Sequence, residues 1–168
     1  MKMIIFILVF TLIFIVFAQV VRADYGQEVS VQLDGKHTIF NDVHPYINED
    51  GRTLVPIRFI AENMGCMVEW EGSRQLVVIR KDKKVIILKI GQNWAIVSEP
   101  TGIKKIKLDT KAILMSSLGE TRTMVPLRFI SESLGALVTW DGSRNMVVID
   151  SKGLGNSTSD VTAGYVKP

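Results

Sequence analysis

Cysteine is almost absent from this chain. Cys66 is the single one in 168 residues, which excludes an intramolecular disulfide framework and any multi-cysteine metal site. Histidine is nearly as scarce. His37 and His44 are seven residues apart, a metal centre needs three or four convergent ligands, and two exposed loop histidines are the simpler reading. A large excess of either charge is missing too. The chain carries 20 Lys and Arg against 17 Asp and Glu, a net of +3; without Lys2 and Arg22, which lie in an apolar leader, 18 basic side chains face 17 acidic ones, a net of +1. Nucleic-acid binders concentrate Lys and Arg in excess, so no nucleic-acid partner is expected. There is no glycine-rich phosphate loop. No nucleophile triad is visible either, because such a triad needs a histidine base and both histidines lie far along the chain from the Gly72-Ser73 and Gly142-Ser143 turns. No catalytic, cofactor or metal site is expected, and the chain reads as a non-enzyme.

The one long hydrophobic run opens the chain. Met1-Lys2 is a short positive start, and Met3 to Phe17 is apolar apart from Thr11. Val21-Arg22-Ala23 fits a signal-peptidase site with cleavage before Asp24, and Val16-Phe17-Ala18 is a weaker second site. Residues 1–23 therefore read as a signal peptide, and the protein as extracellular or attached to the cell envelope. An uncleaved anchor is the alternative, since the 19 residues from Met3 to Val21 nearly suffice to span a bilayer; the membrane would then be met only through that segment. No cysteine lies near Ala23, which excludes a lipoprotein anchor.

What organises the remainder is self-similarity. Arg52-Thr53-Leu54-Val55-Pro56-Ile57-Arg58-Phe59-Ile60 recurs as Arg122-Thr123-Met124-Val125-Pro126-Leu127-Arg128-Phe129-Ile130, at an offset of 70. The recurrence runs without a gap through Gly65/Gly135, Trp70/Trp140 and Gly72/Gly142 to Ile79/Ile149, with 17 identities in 28 pairs. Two internal repeats, 29–80 and 85–150, follow, and the second carries 14 extra residues within Ser98–Ser117. That insert holds Lys104, Lys105 and Lys107.

Each copy predicts the same local structure. Thr53–Val55 reads as a strand entering a helix, with Pro56 at the first helical position. Ile57, Ile60, Ala61 and Met64 form one apolar stripe, and Gly65 ends the helix in the left-handed conformation. Nine residues make a marginal helix alone, so packing must stabilise it. Cys66–Trp70 is a strand, Glu71–Arg74 a turn in which Gly72 supplies positive φ, and Gln75–Arg80 a returning strand, apolar on both faces as if covered twice. Val29–Leu33 and Lys36–Phe40 form a hairpin around Asp34-Gly35. The fold class is α+β: an antiparallel meander packed around two short helices, built from the repeat. Residues 29–150 suffice for one interior shared by both copies, and 151–168, rich in Ser, Gly and Thr, reads as a flexible tail.

The stretch Asp50 to Gly65, followed by Val68-Glu69-Trp70 and Val77-Val78-Ile79, resembles the copper amine oxidase N-terminal-domain-like family, also called stalk domains; Arg122 to Ile149 resembles it equally. The resemblance covers about 31–150. It implies an antiparallel sheet wrapped around a helix and a bacterial extracellular or envelope location. It implies neither copper nor oxidase activity, because the ligands and the cofactor-forming tyrosine lie in a separate catalytic domain that nothing here matches. The structural motif so defined is Arg52, Pro56, Arg58, Phe59, Gly65, Trp70, Gly72, Arg122, Pro126, Arg128, Phe129, Gly135, Trp140 and Gly142.

Several motif residues allow a ligand-binding reading beside the structural one. Arg58 and Arg128 lie where the helix dipole disfavours a cation; they would grip an anion or, more simply, form partly buried ion pairs with Glu62 and Glu132. Trp70 and Trp140 would stack on sugar rings or, more commonly, lock a buried hairpin onto its helix. Cys66 has Ala136 as its equivalent in the other copy, which fits a small buried slot rather than a reactive thiol. The lysine clusters suit solubility on a loop and an edge strand, or attraction of anionic wall polymers or lipid headgroups. Candidate ligand contacts are Tyr46, Trp94, Lys104, Lys105 and Lys107, with Tyr46, Trp94 and Trp140 the only aromatic set for sugar. The reading is a non-catalytic spacer or binding module whose partner is an envelope protein or wall polymer. A carbohydrate- or peptidoglycan-binding module is the alternative, followed by a regulator of a secreted enzyme.

Overall fold

Short alternating strands joined by left-handed turns set the architecture. A computed structural model describes residues 27–153; the expected signal peptide, and the expected tail beyond Gly153, lie outside the described residues. In chain order the elements are β1 (Gln27–Glu28), β2 (Ser30–Leu33), β3 (Lys36–His37), β4 (Tyr46–Ile47), β5 (Thr53–Pro56), α1 (Ile57–Asn63), β6 (Met67–Glu71), β7 (Leu76–Lys81), β8 (Lys84–Lys89), β9 (Trp94–Glu99), β10 (Gly102–Lys107), β11 (Ile113–Ser117), β12 (Glu120–Pro126), α2 (Leu127–Ser133), β13 (Leu137–Asp141) and β14 (Met146–Asp150). Antiparallel strands and two helices confirm the α+β class. The single meander does not hold. The described residues form three sheets, ordered β1-β4-β5-β12-β11, β10-β9-β8-β7-β6 and β13-β14-β2-β3, and β2 pairs parallel to β14, with Val31 opposite Val147. The expected strand Lys36–Phe40 stops at His37, because Phe40 turns away to pack on Phe59, ring centroids 4.8 Å apart.

The two recurring segments fold alike and meet at their most similar residues. β5 and β12 pair antiparallel as Leu54–Pro126, Val55–Val125 and Pro56–Met124. Val55 thus faces its own counterpart, and Leu54 and Pro56 each face the counterpart of the other, about a pseudo-twofold centre at Val55–Val125, the isologous arrangement of a symmetric dimer. The packing crosses over as well: α1 lies against β12 and α2 against β5.

Pro56 and Pro126 are not the first helical residues. Each is the last strand residue and N-cap, at ψ 114 and 112 respectively; φ near −60° suits either place, and the ladder to the other segment holds ψ extended. The helices run seven residues, not nine. Their ends match prediction: the Gly65 N–H donates to the Glu62 carbonyl and Cys66 N–H to the Ala61 carbonyl, both at 2.9 Å, and the same bonds recur at Gly135 and Ala136. With φ +76 and +90 at the two glycines, each end is a Schellman motif.

One hydrophobic core joins all three sheets and both helices. Val31, Val55, Ile60, Ile79, Ile86, Leu88, Val125, Ile130 and Ile149 are wholly enclosed in it. Cys66 and Ala136 occupy matching buried positions, and burial pushes the Cys66 thiol up, away from thiolate reactivity. β7 is fully covered on one face only: Val77 and Ile79 are buried, whereas Leu76 and Val78 on the other face are half-buried.

Candidate functional site

A groove of about 550 Å³ opens between the free face of α1, the edge of β6, the 39–42 loop and β11–β12. Helical spacing carries Arg58, Phe59 and Glu62 to its rim, because the opposite stripe of α1, Ile57, Ile60 and Ala61, is buried. Strand alternation turns Val68 and Trp70 inward, opposite Ile79 and Val77. Ile39 at 78% and Trp70 and Leu114 at 43% exposure make its lining unusually apolar for a surface.

The charged groups around this groove are engaged. Arg122 reaches Asp42 at 2.5 Å and Glu120 at 3.0 Å. The Val43 N–H donates to the Asp42 carboxylate at 2.6 Å, and that bond, with Arg122 beside it, holds its carboxyl below the usual range. Arg58 pairs with Glu62 at 3.5 Å, and Glu69 with Arg80 at 3.5 Å. Among the residues lining the groove there is no histidine, cysteine, serine, lysine or tyrosine.

The recurring arginines have a role that spacing hides. Arg122 of the second segment binds Asp42, which precedes the first; Arg52 of the first binds Asp109, which precedes the second, at 2.9 Å. These are matched cross-ties about the β5–β12 centre. Asp42 stands 10 residues before Arg52 and Asp109 13 before Arg122, so no common spacing marks the acids, and sequence reasoning missed them together with the 39–42 loop and Leu114.

Other expectations need correcting. Arg58–Glu62 and Arg128–Glu132 do pair, but their side chains are more than half exposed, not partly buried; the helix face that carries them looks outward. Trp70 and Trp140 are each 43% exposed because β6 and β13 are edge strands. Gly72 and Gly142 do not supply positive φ. The left-handed residues of those turns are Gln75 and Asn145, at φ 54 and 49. The glycines serve the tryptophans instead: a Cβ on either would lie 3.3 Å from the indole Nε1 two residues before it.

The candidate ligand contacts are dispersed. Tyr46 lies on β4 against Val43, Leu54 and Met124, where burial pushes its phenol up. Trp94 lies on β9, covered by the Lys105 ammonium 4.7 Å from its ring. Trp140 lies on β13. These three aromatics sit on three different sheets and form no common platform. Lys104, Lys105 and Lys107 line the outer edge strand β10. His37 is exposed on β3, and His44 pairs with Glu28.

No curated protein and no solved structure matches the chain. The profile described as Copper amine oxidase N-terminal domain matches residues 32–149. That span contains both recurring segments, the groove and both cross-ties. The chain belongs to the copper amine oxidase N-terminal domain family, the non-catalytic domain of those enzymes.

Proposed function

We propose that this protein is an exported, non-catalytic module of the cell envelope, a rigid spacer that binds an envelope partner through the α1–β6 groove. The observation that carries the reading is the groove itself. Apolar and aromatic side chains make up about half of its lining, while its charged side chains are held in ion pairs, which suits recognition by contact area and stacking. The apolar leader at 1–23 supports export. The twofold relation of β5 to β12 supports a fold built by internal duplication, and a doubled unit with one core is stiff, as a spacer requires.

Wall polymer is the partner class this reading favours, because Trp70 stands half-exposed beside Asn41, Thr121 and Thr123, an aromatic face bordered by hydrogen-bonding groups. Retention on purified cell wall tests it. The expected result is retention competed by free wall sugars and reduced at least about tenfold by Trp70→Ala, with Trp140→Ala unchanged. Retention that is insensitive to Trp70→Ala and removed by salt would overturn the groove and favour the β10 lysines. N-terminal sequencing of secreted protein tests export, and an N-terminus at Met1 would overturn cleavage.

A further inference from the structure

The five-stranded sheet β10-β9-β8-β7-β6 ends in two free edges of opposite character. Among the described residues β6 pairs only with β7 and β10 only with β9, so each presents there a row of backbone groups free of strand partners, a template for another strand. On β6 the side chains facing away from the core are Met67, Glu69 and Glu71, since Val68 and Trp70 lie opposite buried Ile79 and Val77. On β10 they are Ile103, Lys105 and Lys107, since Ile106 lies opposite buried Ala95. Met67 is 62% and Ile103 74% exposed. One edge therefore reads apolar-acid-acid and the other apolar-base-base.

We infer that this chain associates with a second copy of itself head to tail, β6 of one molecule pairing with β10 of the next. Direction agrees with charge. Four successive antiparallel pairings separate the two edges, so β6 and β10 run the same way, and a copy displaced sideways meets its neighbour as a parallel pair. In the register Met67–Ile103, both outward ion pairs follow at once, Glu69–Lys105 and Glu71–Lys107, and Trp70 meets Ile106 on the inner face. The alternatives repel: β6 on β6 sets glutamate on glutamate, and β10 on β10 sets lysine on lysine. Within one molecule Glu69–Arg80 and Glu71–Arg74, at 3.5 and 3.4 Å, are long, exposed pairs that compete weakly. The contact is heterologous and leaves a free β6 and a free β10 at its two ends, so it grows open-ended chains. The contact shares Glu69 and Trp70 with the groove, so a ligand held there competes with it, and association is measured without one.

Charge exchange tests this. Sedimentation velocity of the purified protein from about 1 to about 300 µM should show a series of oligomers that grows with concentration and recedes when salt is raised from about 0.05 to about 1 M. E69K/E71K and K105E/K107E should each weaken association at least about 100-fold while circular dichroism and melting stay unchanged. An equimolar mixture of the two variants should restore it, because each then offers the edge the other lacks. A single monomeric species at every concentration and salt overturns the proposal. So does association that survives either double variant, as pairing through the N-terminal segment or through β13 would, and so does a mixture that stays monomeric. Should a double variant fold poorly, Glu71→Lys and Lys107→Glu alone, measured singly and mixed, give the same reading.

Discussion

Ser131 shows what single residues decide here. It is wholly buried in α2, and among the described residues its hydroxyl has no hydrogen-bond partner; the matching residue of α1 is Ala61, equally buried. Ser131→Ala should therefore stabilise the protein by about 1 kcal/mol and Ala61→Ser destabilise it by about 1–2 kcal/mol, since an unsatisfied buried hydroxyl carries its desolvation cost; urea melts of both variants check the signs. Asp141 makes a pH prediction. The Ser143 hydroxyl, then the Arg144 guanidinium, bring its carboxyl down to about 2. A folded value below the unfolded 3.8 means this contribution is whole above pH 4 and lost as pH falls toward 2. Asp34, Asp42 and Glu99 are lowered too. The melting temperature should drop across that window, and Asp141→Asn should lower it at pH 7 and shrink the drop. The tryptophans are the residue-scale lesson. Their recurrence was legible, but a strand tryptophan reads as core whether its strand is central or at an edge, and only strand order shows that β6 and β13 are edges.

At the scale of elements, local chemistry was readable where neighbours in sequence supply the partners. The apolar stripes Ile57-Ile60-Ala61 and Leu127-Ile130, and the glycine ends at Gly65 and Gly135, were all visible in spacing, and each occupies its expected place. Strand length at Lys36–His37 and the role of Pro56 were not, because a distant aromatic and a distant strand decide them. The cross-ties belong to this class. Arg122 is 37% and Asp42 23% exposed, against 47% and 54% for Arg52 and Asp109, and Arg122 also holds Glu120. Shielding strengthens an ion pair, so Arg122→Ala should cost about 1 kcal/mol and Arg52→Ala less than about half of that. Denaturant midpoints at matched slope measure the difference, and equal losses would show that the tie near the groove has no special weight.

The whole molecule is interlocked. β2 leaves the first half to pair with β14 of the last hairpin, Asp34 accepts the Ser151 N–H and hydroxyl at 2.8 and 2.7 Å, and the Asn145 amide donates to the Glu28 carbonyl at 2.5 Å. β5 and β12 meet in mid-sheet. Neither half closes its own core, so unfolding should be one transition, with circular dichroism and tryptophan fluorescence coincident. Fragments 27–91 and 92–153 should be unfolded apart and regain signal only when mixed; an independently folded fragment would show that the halves are separate domains.

By itself the sequence determined the α+β class, the recurring segment, and the helix faces and ends, because each depends on residues within one or two turns of chain. Only the tertiary structure decided three sheets instead of one, a parallel β2–β14 pair, the partners of Arg52 and Arg122, and the groove beside Trp70. These arise from surfaces of distant segments brought into contact by the burial of one shared core, and no local pattern encodes which distant surface will be met.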